Sequence, residues 1–152
     1  MKLIRILLTL LISSQLLPAQ TSETTDRWNA PDASALKQWQ DMRFGMFIHW
    51  GPVSLKGTEI GWSRDKEVPI EEYDQLYTDF NPEQFDAEEW VAIAKNAGMK
   101  YIVLTTKHHD GFCLWDTKTT EYDIMATPFG RDVVKELSEA CEEAGIMFCT
   151  YY

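Results

Sequence analysis

The chain has 152 residues, enough for one domain with a buried core, and its formal net charge is −10 at pH 7. Such an excess of acidic residues is repelled by nucleic acid and by anionic lipid surfaces, so we expect a neutral ligand and no nucleic-acid partner. The three cysteines, Cys113, Cys141 and Cys149, form no close pairing motif, which argues against a disulfide framework and leaves open a single bridge between two of them.

The N-terminal residues 1–19 have the pattern of a secretory signal peptide. Two basic residues precede a mostly apolar run, Ile6 to Leu17, and Ala19 offers a small residue for cleavage. The run is too short to span a membrane, so we predict no membrane span in the mature chain and an exported protein, which is periplasmic, extracellular or lysosomal according to the organism. A disordered or amphipathic N-terminus is the alternative. Residues 20–38 are predicted to be a linker or N-terminal extension.

The next part of the chain predicts a helix, a strand and a second helix. A short helix is expected over residues 32–42. Its inward-facing residues would be Leu36, Trp39 and Gln40. An apolar run at residues 43–50 predicts the first strand, and the apolar spacing over residues 70–80 is typical of a helix.

Two better-marked helices follow, and each leads into a strand. Asp86 is predicted to cap the first helix and Gly98 to end it, and Asp132 and Gly145 have the same positions in the second. The apolar stripe predicted for the first of these helices is Trp90, Ile93, Ala94 and Ala97. The strands are expected at residues 99–106 and 146–152. Strands that alternate with amphipathic helices indicate parallel βα units.

This pattern predicts an α/β fold, the N-terminal part of a (β/α)8 TIM-like barrel with about three βα units over residues 39–152. A doubly wound open sheet has the same local pattern and stays possible. However, no glycine-rich phosphate loop follows any predicted strand, which weakens a nucleotide-binding version of that sheet. Because a barrel needs roughly 200 residues or more, we expect this chain to be incomplete as a barrel and part of a longer protein.

All three histidines, His49, His108 and His109, lie at predicted strand ends. One hypothesis is a metal site formed by His49, one of the pair and Asp110, although the spacing matches no common zinc signature. The other is hydrogen bonding by neutral imidazoles to a polyhydroxyl ligand, whose C–H groups would pack on aromatic rings. The tryptophans available for this are Trp50, Trp62 and Trp115. Because adjacent strand residues face opposite ways, we expect His108 and His109 to have different roles.

Acidic residues also lie in the predicted strand-end loops, namely Glu59, Asp65, Asp110 and Asp116. A two-carboxylate glycosidase needs a nucleophile and an acid, and any pair of these could be considered. For most of them, a solvated loop acid is the simpler interpretation. Asp110 can instead hold the turn at Gly111 by accepting hydrogen bonds from backbone amides.

Several sequence phrases, in this order, resemble the α-L-fucosidase family of retaining glycoside hydrolases. The resemblance extends from about Trp39 to Tyr152, and its most specific part is the phrase Thr106–Phe112. The other phrases are Phe44–Gly51, Trp62, Phe85-Asp86, Trp90–Gly98, Tyr101–Thr105, Leu114-Trp115 and Arg131-Asp132.

The resemblance implies a (β/α)8-like catalytic barrel that removes terminal α-L-fucosyl residues from glycoconjugates or oligosaccharides by a retaining double displacement. It implies that His49, His108 and His109 bond fucose hydroxyls and that Trp62 helps to shape the pocket. It also implies a fucosylated glycan as the substrate, with no metal and no cofactor.

Two departures from the family pattern matter. Many members have a glutamate directly before the tryptophan that matches Trp62, whereas this chain has Gly61 there and Glu59 two residues earlier. Glu59 is therefore a weaker candidate for fucose binding. The family's nucleophile and acid/base correspond to positions beyond Tyr152, so we expect no catalytic carboxylate in this chain.

The chain alone is therefore expected to be inactive, and release of 4-nitrophenol from an α-L-fucoside by the pure 152-residue chain would contradict this expectation. Two other functional classes stay open at this point. One is a non-catalytic sugar-binding remnant, and the other is a metal-dependent hydrolase.

Overall fold

The computed structural model describes residues 32–152. The predicted signal peptide lies outside the described residues, as does the predicted linker up to residue 31. The helices are α1 (Ala33–Met42), α2 (Ile70–Tyr73), α3 (Ala87–Asn96) and α4 (Val133–Ala144). The strands are β1 (Gly45–Ile48), β2 (Tyr101–Thr105) and β3 (Met147–Tyr151). Within residues 32–152, none of the helices combines the length and apolarity that a membrane crossing requires.

The ends of α3 and α4 confirm the predicted caps. The carboxylates of Asp86 and Asp132 each accept a hydrogen bond of 2.9 Å from the backbone N–H three residues further on. Gly98 and Gly145 follow the two helices with φ angles of 83° and 69°, the left-handed conformation that glycine adopts at low cost. These local signals set where each helix starts and stops, and hence where the next strand begins.

The three strands form one parallel sheet in the order β1-β2-β3. α3 and α4 pack against each other, and apolar residues of both belong to one core with β2. The most deeply buried members of this core include Ala94, Ile102, Leu104, Ile124, Val133 and Leu137. The predicted parallel βα units are therefore confirmed. A barrel and each half of a doubly wound sheet both begin in this way, so these strands alone do not distinguish the two folds.

In the described part of the chain, the face of the sheet opposite α3 and α4 is less buried than the face that they cover. Since side chains alternate along a strand and Ile102 and Leu104 lie in the core, Val103 must point to the other face. In the strand register, Phe47 lies opposite Val103, which lies opposite Cys149. Phe47 is 53% exposed. This second face therefore presents a row of apolar side chains that the described residues leave uncovered.

The predicted inward face of α1 is wrong, and that of α3 is confirmed only for Trp90 and Ala94. Leu36 and Trp39 of α1 are 42% and 62% exposed, and α1 has no buried residue. In α3, Val91 and Ala94 are buried, whereas Ile93 is 53% exposed. A ten-residue helix with apolar residues on several sides permits more than one stripe, and packing against the sheet selects the one that contains Val91.

The continuous helix predicted over residues 70–80 is also wrong. The segment contains α2 and a separate 3₁₀ turn, Leu76–Asp79. The apolar residues Tyr73, Leu76 and Phe80 are nevertheless buried, as their spacing predicted. Hydrogen bonds from the C-terminal end of α2 to distant loops fix the position of this helix end. The pattern of hydrophobic residues contains no information about these bonds.

All three cysteines are free thiols, so the single bridge that the sequence left open is not formed. Cys113 and Cys141 are buried, and burial raises the pKa of Cys141 to about 11. Both therefore act as small apolar core residues.

Candidate functional site

The carboxyl ends of the three strands bring aromatic and imidazole rings together. The ring centroid of His49, just after β1, lies 5.7 Å from that of His108, in the loop after β2. Tyr151, the last residue of β3, stacks on His108 at 5.8 Å and lies 6.0 Å from His49. Because parallel strands end at the same edge of a sheet, residues far apart in sequence meet here.

Trp62 and His109 complete the group. The Trp62 ring meets the His109 ring edge-on, with centroids 4.8 Å apart, and lies 6.5 Å from His108. About half of Trp62 is exposed, so much of its surface is open to a ligand. We call His49, Trp62, His108, His109 and Tyr151 the strand-end cluster. Four of these five were predicted from the sequence as binding residues, and the structure brings all four together.

The two adjacent histidines do not follow the strand alternation that the sequence analysis assumed. β2 ends at Thr105, and the N–H of Gly111 donates a 3.0 Å hydrogen bond to the carbonyl of His108, which closes a turn. Their ring centroids are 4.8 Å apart with the planes nearly perpendicular. His108 is half-buried and His109 exposed, so both rings reach the cluster and differ only in depth.

The surroundings of His108 shift its pKa. Burial lowers its pKa below the ordinary histidine value, and the neighbouring His109 adds to this effect. Its Nδ1 atom is buried with no hydrogen-bond partner among the described residues, and a Cβ atom placed on Gly61 would lie 2.7 Å from it. The backbone of Gly61 therefore covers Nδ1, which leaves Nε2 of a neutral imidazole as the atom that can bond a ligand.

Gly61, the position at which the chain departs from the family pattern, has a φ of 71°. A side chain at this position would be strained by the backbone and would collide with His108. Glu59, the weaker candidate, is exposed and lines a neighbouring hollow of about 330 Å³ together with His49. Its carboxylate is near enough to raise the pKa of His108 slightly against the lowering effects.

The other tryptophans proposed as sugar platforms have different surroundings. Trp50 packs in the core, with its ring centroid 5.2 Å from Phe80, 5.4 Å from Trp90 and 5.8 Å from Phe85. Trp50 therefore packs against the core, but it also lines the hollow that contains His49 and Glu59, and its proposed role at the site stays a prediction. Trp115 lies beside Tyr152, at 6.3 Å, away from the histidines.

The metal-ligand set proposed as an alternative is not assembled. Across residues 32–152, no group of three or more His, Cys, Asp and Glu side chains is arranged to hold a metal ion. Asp110 instead accepts hydrogen bonds from the Tyr73 hydroxyl at 2.8 Å and from the Phe112 N–H at 3.3 Å. It holds the turn at Gly111, as the simpler interpretation of this residue predicted.

Tyr151 is the member of the cluster that the sequence analysis did not select. The sequence nevertheless indicates this residue, because Tyr151 lies near the end of the third predicted strand, just as His49 lies near the end of the first. With it, the cluster offers imidazole nitrogens, a phenol hydroxyl and an indole face on one surface. This combination suits a ligand with hydroxyl groups on one side and C–H groups on the other.

Comparisons with known proteins agree on one family. Residues 11–152 match the family model for alpha-L-fucosidase. The chain is 40% identical over 112 residues to alpha-L-fucosidase 1 of Arabidopsis thaliana, which covers 72% of this chain and 20% of that protein.

Two solved structures resemble the described fold. One is the alpha-L-fucosidase AlfC from Lactobacillus casei in complex with its alpha-L-fucose product (TM-score 0.71, 43% identity, 77% of this chain and 39% of that one). The other is an alpha-L-fucosidase from Bacteroides thetaiotaomicron trapped as a covalent intermediate (TM-score 0.71, 38% identity, 79% and 30%). The chain thus spans a fifth to two fifths of the length of these relatives.

Proposed function

This chain belongs to the α-L-fucosidase family, and we propose that the whole protein hydrolyses terminal α-L-fucosyl residues of glycoconjugates or oligosaccharides. The observation that carries the proposal is the strand-end cluster, in which three histidines that follow the ends of β1 and β2 share a surface with one exposed indole. A relative with 43% identity over the matching region is described in complex with α-L-fucose.

Within this proposal, the cluster forms the fucose pocket. The imidazole nitrogens of His49, His108 and His109 bond sugar hydroxyls, and Trp62 packs against the C–H face of the ring. A neutral His108 can donate or accept through Nε2, which suits a hydroxyl group, whereas an imidazolium could only donate. Tyr151 lies beside both His49 and His108 and closes this side of the pocket.

We propose a retaining double displacement, in which a carboxylate attacks the anomeric carbon and water then hydrolyses the fucosyl-enzyme. The trapped covalent intermediate of the Bacteroides relative supports this course. We place the nucleophile and the acid/base on later strands of the whole protein. Two of the four loop acids in this chain are otherwise engaged, since Asp110 holds a turn and Asp116 pairs with Lys118 at 2.7 Å.

We also propose that β1, β2 and β3 belong to a (β/α)8 barrel. In such a barrel one face of every strand is covered by helices and the other fills the interior with layers of apolar side chains. The uncovered row of Phe47, Val103 and Cys149 fits the interior face. The signal-peptide pattern of residues 1–19 supports export of the protein.

The test is hydrolysis of 4-nitrophenyl α-L-fucoside by the purified full-length protein, with the β-L-fucoside as the control substrate. We expect release of 4-nitrophenol from the α-anomer only, and NMR should show α-L-fucose as the first product because the configuration is retained. No release from the α-L-fucoside would overturn the proposed function, and β-L-fucose as the first product would overturn the proposed mechanism.

A further inference from the structure

Tyr73, at the C-terminal end of α2, connects the two loops that carry the strand-end cluster. Its ring is 1% exposed and packs in a small core with Val53, Ile60, Val68 and Leu76. Its hydroxyl accepts a 2.8 Å hydrogen bond from the N–H of Gly61 and donates one of 2.8 Å to Oδ2 of Asp110. Both functions of the hydroxyl are thus used, and each partner is next to a residue of the cluster.

On the first side, the bond to Gly61 sets the position of the Trp62 loop. Trp62 follows Gly61 directly, and the Gly61 backbone packs against His108 and His109. Asp74, the residue after Tyr73, gives a second attachment. Its carboxylate accepts two hydrogen bonds of 2.6 Å from Arg64. Two consecutive residues, Tyr73 and Asp74, therefore hold the Trp62 loop on either side of its indole.

On the second side, the bond to Asp110 sets the position of the histidine turn. The other carboxylate oxygen of Asp110 accepts the N–H of Phe112, and this turn carries His108 and His109. Burial raises the pKa of Tyr73 well above its ordinary value, so the hydroxyl stays protonated and keeps donating to Asp110 over the whole working pH range.

We propose that Tyr73 is a positioning residue of the fucose pocket, which fixes the distance between the Trp62 wall and the His108–His109 wall by bonding to both loops at once. This inference rests on the proposed function for the identity of the ligand. Tyr73 is buried outside the pocket and does not contact the sugar, but it influences how tightly the sugar is bound.

The test compares Tyr73→Phe with the matched control Tyr77→Phe in the full-length protein. Tyr77 has a half-buried ring that packs against Tyr122 and Phe112 at the main core. For Tyr73→Phe we expect KM and the inhibition constant of L-fucose to rise about tenfold, because a bonded donor and acceptor both lose their partner. kcat should change by less than about threefold, since no group that reacts is removed. Tyr77→Phe should leave both constants unchanged.

Amide hydrogen exchange gives a second readout that does not depend on activity. The Gly61 and Phe112 amides should exchange faster in Tyr73→Phe than in the wild type or in Tyr77→Phe. If Tyr73→Phe does not fold, Asp110→Asn weakens the same link by removing its charge and should raise KM in the same direction.

The outcomes separate the two proposals. Unchanged exchange at Gly61, or an unchanged KM in an active Tyr73→Phe enzyme, would overturn the positioning role. A loss of kcat in proportion to the unfolded fraction, with KM unchanged, would also overturn it. If the wild-type protein hydrolyses no α-L-fucoside, the proposed function fails, and the exchange rates alone then decide whether Tyr73 couples the two loops.

Discussion

His108 is the residue whose chemistry depends most on its surroundings. It lies between His49, His109 and Tyr151, and the backbone of Gly61 covers one of its nitrogens. Burial favours the neutral form of an imidazole, since a charge is costly to remove from water. The sequence could place this residue at a strand end, but its depth and its covered nitrogen depend on the Gly61 loop, which lies far away in the chain.

The lowered pKa of His108 predicts a pH dependence of stability. Below the ordinary histidine pKa of 6.5, the unfolded chain binds a proton at this residue more readily than the folded chain. Stability is therefore lost as the pH falls from 6.5 towards the folded-state pKa. Urea unfolding of the full-length protein at a series of pH values should show this loss, and His108→Gln should reduce it. Equal pH dependence in the two proteins would contradict the assignment.

Gly61 and Gly57 provide a matched pair of substitutions. Both have left-handed φ angles, 71° and 64°, but a Cβ atom meets His108 only at Gly61 and meets nothing within 4 Å at Gly57. Each change to alanine should cost about 1–2 kcal/mol through the backbone. Only Gly61→Ala should also displace His108 and weaken L-fucose binding in the full-length protein, as measured by calorimetry. Equal fucose affinity in the two variants would show that Gly61 does not set the position of His108.

At the scale of the element, helix ends were predictable, whereas the buried face of α3 was predictable only in part. Asp86, Gly98, Asp132 and Gly145 act through hydrogen bonds and backbone angles within a few residues, so the sequence carries the whole signal. The buried stripe of α3 depends on what the helix packs against, and the predicted Ile93 is exposed. The break after α2 depends likewise on partners outside the segment, such as Arg64 and Asp110.

Removal of the two helix caps should reduce the free energy of unfolding by different amounts. Asp86 caps only α3, whereas Asp132 caps α4 through one carboxylate oxygen and accepts the N–H of Asp116 at 3.1 Å through the other. Asp86→Ala should cost about 1 kcal/mol, and Asp132→Ala should cost more because the loop after β2 also loses a bond. Denaturant unfolding of the full-length variants measures both. A larger loss for Asp86→Ala would contradict this explanation.

At the scale of the whole molecule, the uncovered face of the sheet is the clearest sign of the fold. β1 and β3 each have an unpaired edge in the described part of the chain, and the sheet presents Phe47, Val103 and Cys149 on the side opposite α3 and α4. A barrel would pair both edges and bury this row. The sequence predicted the strands and their order of succession, but three strands alone could not distinguish a barrel from half of an open sheet.

Cys149 makes barrel closure measurable. It is half-buried in the described structure, whereas Cys113 and Cys141 are already buried on the helix side or within loops. In the native full-length protein, a closed barrel should protect all three from a thiol reagent, and peptide mass spectrometry should find Cys149 unmodified until the protein is denatured. Rapid modification of Cys149 alone in the native protein would contradict the proposed barrel.

Every binding role proposed for these side chains depends on the strand-end cluster being the fucose pocket. The most direct measurement is a crystal structure of the full-length protein with L-fucose bound. We expect fucose hydroxyls within about 3.2 Å of imidazole nitrogens of His49, His108 and His109, with a C–H face of the sugar against Trp62. Fucose bound at another place, with these four side chains free of contact, would contradict the account.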